Sequence, residues 1–312
     1  MMVAVTTSTV TSDAPTEHEI VSGTTRAVVT ALGGGLRVLE VDGAPLAETW
    51  APGGKPPMSA GMTLFPWPNR VADGRYSFDG TDHQLELTEP SRHNAMHGFV
   101  RKVEWDVVSV ARDAVEQAID VPPHEGWPFT LRLDTRHQVH PGGLTVTHTV
   151  TNTGPVRAPF GLGVHTFVSA RGAATDTCTL ELEAAEVLPL ERGRNLPSGP
   201  LHPVEGTPDD FRTPRLLRGV WLDTPFRTGA AAHTLRGPDG SGVRLWTSVE
   251  LGWVQVFTAD PAHDQAYPDR GRALALEPMS CPPNALATGD DLVVLEPGQQ
   301  WSGRWGIEVV PS

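Results

Sequence analysis

The sequence has only two cysteines, Cys178 and Cys281, in 312 residues. This number is too small for a disulfide framework, and free thiols are typical of a reducing compartment. Residues 1–15 lack the basic start and the apolar run of a signal peptide. No stretch approaches the roughly 18 apolar residues that a membrane helix needs. We therefore expect a cytoplasmic protein with no membrane partner.

Basic residues are scarce too: the chain has 24 Lys and Arg against 37 Asp and Glu, and its net charge is −13. Nucleic acids and anionic membrane surfaces attract clustered Lys and Arg, so neither is an expected partner. The apolar content of 39% is ordinary for a globular protein. A chain of this length can bury a sizeable core.

Several catalytic and metal-binding motifs are missing. There is no Gly-x-Ser-x-Gly elbow and no phosphate loop ending in Gly-Lys-Ser/Thr. The two cysteines are too few for a zinc knuckle. The histidine pairs His93/His97 and His137/His140 have no evident third ligand. We predict no metal site.

The pattern that the chain does have is alternation. Leu144, Val146, His148 and Val150 alternate with four threonines, and a period of two is typical of a strand. Turn signals recur about every 8–12 residues, and helical periodicity is nearly absent. These features predict an all-β fold, a large antiparallel sandwich or barrel.

We predict one domain over residues 18–312, preceded by a flexible tail at residues 1–17. Residues 190–214 are rich in Pro, Gly and charge, and strand-like runs flank them. We interpret this stretch as a long surface loop inside the domain rather than a linker. A short helical turn is predicted near residues 209–211.

Four segments place polar side chains on turns or strand ends. They are residues 66–80, 94–101, 161–167 and 276–285. Taken singly, His97 could cap a turn, His165 could be a hydrogen-bonded core histidine, and Arg70 could be a solvated charge. Glu277 is more suggestive because it ends an apolar run, where a carboxylate is costly unless it is paired or exposed.

Together these segments resemble the aldose 1-epimerase family, the galactose mutarotases. The family pattern begins with a Phe/Pro-rich turn ending in Asn-Arg, then Gly-Arg-Tyr-x-Phe-x-Gly and His-Gly-Phe, here at 65–70, 74–80 and 97–99. It continues with Gly-aromatic-Pro at 126–128, a strand histidine at 165, and Glu-Pro at 277–278 before Asn-Ala at 284–285. The resemblance extends from about residue 20 to about residue 310. It implies a galactose mutarotase-like supersandwich.

The resemblance also implies roles in the chemistry. Glu277 matches the family's general base, His165 its general acid, and His97 the second active-site histidine, which holds the sugar and its ring oxygen. The family usually has a polar residue before the strand histidine and two aromatics after it. Here Val164 precedes and Phe167 is the one aromatic residue that follows. This departure bears on the identity of the sugar more than on the reaction.

Further residues are implied in substrate binding. Arg70 and Asn69 match the turn that grips the ligand, and Asp223 matches an Asp that binds sugar hydroxyls. A pyranose also has an apolar face on which an aromatic ring can stack. The candidates for this contact are Trp67, Trp127 and Phe99.

The activity implied is that of an aldose 1-epimerase, or mutarotase, which interconverts the α and β anomers of a free aldohexose without a metal or organic cofactor. At reference pKa values of about 4.3 and 6.5, Glu277 would be ionised and His165 partly protonated near neutral pH. A nearby carboxylate would help to keep the imidazole charged. The expected partner is a monosaccharide, and the expected state is a monomer or a homodimer.

Three alternatives stay open at this point. An epimerase of a phospho- or sulfo-sugar would need Arg or Lys around the anion, and Arg75 and Arg101 are candidates. A glycoside hydrolase would need two carboxylates about 5–10 Å apart, for which Glu277 and Asp223 are the available pair. A non-catalytic carbohydrate-binding module would not need both His165 and Glu277.

Overall fold

The computed structural model describes residues 16–312, which are almost entirely β-structure. The strands are β1 (Glu17–Ser22), β2 (Thr25–Thr30), β3 (Gly35–Val41), β4 (Ala44–Pro45), β5 (Thr63–Leu64), β6 (Arg70–Ala72), β7 (Arg75–Phe78), β8 (Thr81–Gln84), β9 (Asn94–Met96), β10 (Asp106–Val110), β11 (Ala114–Val121), β12 (Leu131–His140), β13 (Gly143–Asn152), β14 (Ala158–Phe160), β15 (Gly163–Val164), β16 (Phe167–Val168), β17 (Thr179–Glu181), β18 (Glu186–Val187), β19 (Leu190–Glu191), β20 (Leu196–Pro197), β21 (His202–Pro203), β22 (Arg215–Leu216), β23 (Asp223–Arg227), β24 (Ala231–Arg236), β25 (Gly242–Thr247), β26 (Trp253–Ala259), β27 (Ala273–Met279), β28 (Val293–Leu295) and β29 (Gln300–Val310).

One α-helix, α1 (Ala285–Thr288), and six single 3₁₀ turns complete the described part of the chain. The turns are Pro57–Ser59, Pro90–Arg92, Val100–Lys102, Thr175–Thr177, Val249–Leu251 and Pro261–His263. No helix within residues 16–312 is long and apolar enough to cross a membrane.

Two large sheets dominate the fold. A nine-stranded sheet has the order β10-β11-β12-β13-β29-β25-β24-β17-β22, and an eight-stranded sheet has the order β21-β18-β23-β26-β27-β15-β5, with β16 also paired to β27. Strands β1 to β4 form a further sheet, and four two-stranded pairs occur elsewhere. The pairings between these strands are antiparallel, which confirms the predicted all-β class.

The two large sheets differ in how they are buried. Along β12 and β13, buried and partly exposed residues alternate, as the sequence predicted for a sheet with one face on the core. Along β26 and β27, every residue is buried. Strands covered on both faces show no alternation in sequence, so periodicity could not identify them. These two strands carry Gln255 and Glu277, which lie opposite each other in the antiparallel register.

Some local predictions differ from the structure. The helical turn predicted near residues 209–211 is absent, because the Thr207 hydroxyl accepts from the Asp209 N–H and donates to the Val204 carbonyl, which gives a side-chain-stabilised turn instead. Helix α1 was not predicted, since four residues are too few to show a 3.6-residue period. The stretch 190–214 contains three two-residue strands.

The predicted tail at residues 1–17 falls mostly on residues 1–15, outside the described part of the chain. Glu17 itself begins β1. Its carboxylate lies 2.7 Å from the Arg37 guanidinium, and this ion pair joins the start of β1 to β3. Strand β1 therefore begins one residue before the predicted domain boundary at residue 18.

Candidate active site

The six residues singled out in the sequence line one cavity of about 260 Å³ above the eight-stranded sheet. They are Asn69, Arg70, His97, His165, Asp223 and Glu277. They come from three parts of the fold: strands of the sheet, the β15–β16 connection, and two turns at the ends of β6 and β9. The sequence motifs therefore converge in space.

Glu277 lies in the middle of β27 with its side chain only 3% exposed. The preceding residues of this strand are apolar because both faces of the sheet are covered here. The carboxylate points to the face that Gln255 shares, since the two residues are register partners on neighbouring antiparallel strands. A carboxylate held at this depth needs a partner.

That partner is His165, which lies in the short connection between β15 and β16. Its backbone N–H donates to the Met62 carbonyl at 3.0 Å, and its carbonyl accepts from the Gly61 N–H at 2.8 Å. The imidazole Nε2 lies 3.5 Å from Glu277 Oε1. The other ring nitrogen, Nδ1, is buried without a hydrogen-bond partner among residues 16–312. No partner there fixes the tautomer of this ring.

The protonation states expected from reference pKa values are wrong for this pair. Burial raises the pKa of Glu277 well above its usual range, and the nearby Asp223 carboxylate raises it further, against the smaller effect of Arg70. Burial lowers the pKa of His165 to about 3. Burial therefore favours the protonated carboxyl of Glu277 and the neutral imidazole of His165. The sequence could not reveal this because desolvation depends on the fold.

His97 is held by a reciprocal pair of hydrogen bonds with Asn69. The His97 N–H donates to the Asn69 carbonyl at 2.9 Å, and the Asn69 N–H donates to His97 Nδ1 at 3.1 Å. Since Nδ1 accepts, the proton of the neutral ring is on Nε2. Both residues have positive φ, 63° and 55°. The ring meets that of His165 edge to face, with centroids 5.8 Å apart.

Gly98 makes this turn possible. Its φ is 62°, and a Cβ atom at this position would lie 2.0 Å from the Phe65 carbonyl oxygen. The close approach lets the Phe99 N–H donate to that same carbonyl at 2.8 Å. The glycine after His97 therefore joins the two ligand-facing turns, because no side chain fits between them.

Arg70 is not a free charge. Its guanidinium forms a two-pronged ion pair with Glu89, at 2.8 and 3.0 Å. Asn94 donates to the same carboxylate at 3.0 Å. The Arg70 carbonyl accepts from the Asn284 N–H at 2.7 Å, which ties the turn to the segment after β27. The geometry presents Arg70 to the cavity as an oriented donor whose charge is largely balanced.

A chain of hydrogen bonds crosses the floor of the cavity. Gln255 Nε2 donates to Asp223 Oδ1 at 2.7 Å, and Asn69 Nδ2 donates to Gln255 Oε1 at 3.3 Å. The Asn195 amide also donates to Asp223. The Asp223 carboxylate oxygens accept from both amide nitrogens, so Asp223 fixes the direction of both amides. The Asn69 Oδ1 atom is thereby turned towards Arg70, at 3.5 Å.

Comparison with known proteins decides which family this arrangement represents. The sequence pattern of the family described as aldose 1-epimerase matches residues 17–308. The chain belongs to the aldose 1-epimerase family. The match covers the segments that carry all six cavity residues.

Several relatives cover most of the chain. The uncharacterized protein YihR of Escherichia coli (strain K12) is 30% identical over 283 residues, 90% of this chain and 89% of that protein. The aldose 1-epimerase of the same organism is 25% identical over 272 residues, 78% of this chain and 77% of that protein. The crystal structure of the GalM/aldose epimerase homologue from C. elegans has a TM-score of 0.83 at 18% identity, and covers 95% of this chain and 99% of that one. This last likeness shows the mutarotase-like fold.

The aromatic side of this family member's cavity differs from the prediction. Trp67 and Trp127 are buried in the core, where Trp67 packs against Phe99 with ring centroids 4.9 Å apart. Neither they nor Phe99 line the cavity, because the two turns that carry His97 and Arg70 lie over this cluster. Phe257 lines the cavity instead, from β26.

Gln255 and Phe257 are among the cavity residues of this aldose 1-epimerase family member that sequence reasoning missed. Both lie on the fully buried strand β26. A signal was present, since Gln255 interrupts an apolar run of the kind that Glu277 also interrupts. A buried amide, like a buried carboxylate, requires hydrogen-bond partners. The two polar residues that interrupt apolar runs, Gln255 and Glu277, together indicate that Gln255 belongs to the site.

Proposed function

We propose that this protein is an aldose 1-epimerase that interconverts the α and β anomers of a free aldohexose. One observation carries the proposal: a carboxylate and an imidazole, Glu277 and His165, face each other at 3.5 Å in a cavity lined with hydroxyl-binding groups. Anomer interconversion requires one group to take a proton from O1 while another delivers a proton to the ring oxygen. The pair meets this requirement with one base and one acid.

Ring opening begins with Glu277 ionised and His165 protonated. Glu277 takes the proton of the O1 hydroxyl, the C1–O5 bond breaks as the C1=O1 carbonyl forms, and His165 gives its proton to O5. The step leaves Glu277 protonated and His165 neutral. Burial favours this state of the pair, since it lowers the pKa of His165 and raises that of Glu277. The buried environment therefore stabilises the pair after opening.

Rotation about C1–C2 then presents the other face of the carbonyl. O5 attacks C1, its proton returns to His165, and Glu277 gives a proton to O1. The product is the opposite anomer, with no net gain or loss of protons. Reclosure leaves Glu277 ionised and His165 protonated, which is the state in which ring opening began. Each turnover is thus complete within the cavity.

The remaining cavity residues suit a neutral polyol. The Nε2–H of His97 is free to donate towards the ring oxygen, because Nδ1 is occupied by Asn69. Asp223 accepts from sugar hydroxyls, and Arg70 donates to them. Phe257 supplies an apolar surface for one face of the ring.

The test is the rate of anomeric equilibration of freshly dissolved α-glucose and α-galactose, followed by polarimetry and proton NMR. We expect the wild-type protein to accelerate equilibration. Glu277→Gln should reduce kcat/KM by about 10²–10⁴-fold, the usual contribution of one positioned proton-transfer group. Glu308→Gln is the matched control, because it removes the same charge from β29 on the nine-stranded sheet. Full activity in Glu277→Gln, or none in the wild type with any aldose, would refute the proposal.

A further inference from the structure

A second cavity, of about 470 Å³, adjoins the active-site cavity, and Ser59 lines both. Three of its lining residues are cationic: Lys55, Arg101 and Lys102. Lys55 and Lys102 are the only two lysines in the chain. No carboxylate lines this cavity. In a protein of net charge −13, such a concentration of positive charge contrasts with the rest of the surface.

Arg101 differs from three other arginines of low exposure in having no carboxylate partner. Arg37, Arg70 and Arg272 each lie within 3.2 Å of a carboxylate, from Glu17, Glu89 and Asp260 respectively. Arg101 is partly buried, and burial lowers its pKa, yet no carboxylate lies within 4 Å of it in residues 16–312. Its guanidinium donates to Ser59 Oγ at 3.1 Å. A sheltered charge without a counter-ion is costly, so the remaining donors are available for an anion.

We propose that Lys55, Arg101 and Lys102 bind an oxyanion of the phosphate class beside the active site. A guanidinium offers a planar fork of donors that matches two oxygens of a phosphate, and the two ammonium groups add compact positive charge. Leu32 and Met62 form an apolar wall of the same cavity. This wall excludes water from one side, which strengthens the attraction of the cations for an anion.

The link to the active site is the turn Pro57–Ser59. Met58 and Ser59 both line the catalytic cavity and have positive φ values of 49° and 62°. Residues other than glycine adopt this conformation at a cost, and they do so when the surrounding contacts enforce it. The Arg101 guanidinium, which would hold the anion, also donates to Ser59 Oγ, and Ser59 lines the catalytic cavity. An anion bound here would therefore lie next to the catalytic cavity. The anion can therefore come from two sources: free phosphate in solution, or the phosphate group of a sugar whose ring occupies the catalytic cavity.

Calorimetric titration with inorganic phosphate at low ionic strength tests binding directly and does not depend on the proposed activity. We expect saturable binding to the wild type, and about tenfold weaker binding after Lys55→Gln or Lys102→Gln, the loss of one charge-assisted contact. Both lysines are exposed, so neither change should unfold the protein. Arg218→Gln is the control, because it removes one exposed cation outside this cavity. Absent binding, or equal affinity in the lysine variants and the control, would overturn the proposal.

A kinetic arm, which does rest on the proposed function, separates the two sources. If the site holds the phosphate of the substrate, Lys55→Gln and Lys102→Gln lower kcat/KM about tenfold for α-glucose 6-phosphate and leave kcat/KM for α-glucose unchanged. If the ligand is free phosphate, these variants lose phosphate affinity while both kcat/KM values stay as in the wild type. Each result supports the oxyanion site. Failure of mutarotation with every sugar would refute the activity while leaving the calorimetric result intact.

Discussion

Two buried histidines, His148 in the nine-stranded sheet and His165 beside the eight-stranded sheet, differ in what their ring nitrogens contact. Both are buried, with 1% of His148 and 7% of His165 exposed, and burial lowers the pKa of each to about 3. Depth and pKa therefore do not distinguish a core residue from a catalytic one. The distinction lies in the hydrogen-bond partners.

Both ring nitrogens of His148 are occupied. Nε2 accepts from Trp305 Nε1 at 3.0 Å, and Nδ1 bonds to Thr135 Oγ1 at 2.9 Å. Tryptophan only donates, so the tautomer is fixed, with the proton on Nδ1. His165 instead has one ring nitrogen facing a titratable carboxylate in an open cavity. The catalytic role requires a ring nitrogen that can gain and lose a proton. His165 Nε2 meets this requirement, whereas the hydrogen bonds of His148 hold its proton in place.

The largest expected effect tests this difference directly. His165→Asn should lower kcat/KM for α-glucose by about 10²–10⁴-fold, because the ring oxygen loses its proton donor. His148→Asn should keep the wild-type kcat/KM per folded molecule. It should lower the free energy of unfolding by about 1–3 kcal/mol, because the buried Trp305 N–H loses its acceptor. Polarimetry and urea denaturation of both variants are the measurements.

The two histidine variants control each other. His165→Asn should lower the free energy of unfolding by less than His148→Asn, since Nδ1 of the native ring has no partner among residues 16–312 and only the contact of Nε2 with Glu277 is lost. A variant of His148 that is stable but inactive, or a variant of His165 that is unfolded, would contradict the comparison.

A smaller effect is expected from Asp223→Asn, which removes the carboxylate that we propose accepts from sugar hydroxyls. One charge-assisted hydrogen bond is worth about 1.5–3 kcal/mol, so KM should rise roughly 10- to 100-fold. Asp223 also raises the pKa of Glu277. Its neutralisation should lower that pKa, so the basic limb of the kcat/KM profile, which Glu277 sets because its pKa is the higher of the pair, should move to lower pH. Initial rates across a pH range that includes this limb measure both effects, and an unmoved basic limb would separate Asp223 from Glu277.

How much of this site the sequence predicted depends on the kind of feature. The order of the motifs along the sequence identified Glu277, His165 and His97 as residues of one site, because each lies in a segment that matches the family pattern. Gln255 was missed because a strand buried on both faces has no period from which to select it. The protonation of the Glu277–His165 pair was predicted wrongly because reference pKa values carry no information on depth.

The same contrast holds for the fold. In strand β13, apolar and polar residues alternate because only one face of the strand is covered, so this strand was predicted correctly. The ion pair of Arg70 with Glu89 was not predicted, since it joins a turn to a 3₁₀ segment through tertiary contact alone. Local sequence pattern thus identified strands with one partly exposed face and did not identify the partners of buried polar side chains.

A tenfold effect is expected from His97→Asn. The substitution removes the Nε2–H donor directed into the cavity and the Nδ1 acceptor of the Asn69 N–H. Losing one neutral hydrogen bond to the sugar costs roughly 1.4 kcal/mol, or about tenfold in kcat/KM. We expect both a higher KM and a lower kcat, with a smaller loss of kcat than in Glu277→Gln. A loss of kcat as large as in Glu277→Gln would show that His97 transfers a proton itself.

The smallest effect concerns stability and applies the comparison to a third histidine. His233 is fully buried, neither of its ring nitrogens has a partner among residues 16–312, and burial lowers its pKa to about 4. Above pH 6.5 the ring is neutral in both the folded and the unfolded chain. Between pH 6.5 and about 4 the unfolded chain binds a proton that the folded chain does not, so stability falls by about 1.4 kcal/mol per pH unit from this residue. His233→Leu, close in volume, should flatten the dependence of the free energy of unfolding on pH by that slope, while activity at pH 7 is unchanged. Parallel pH–stability curves for variant and wild type, from urea denaturation between pH 7 and 5, would mean that His233 is protonated in the fold.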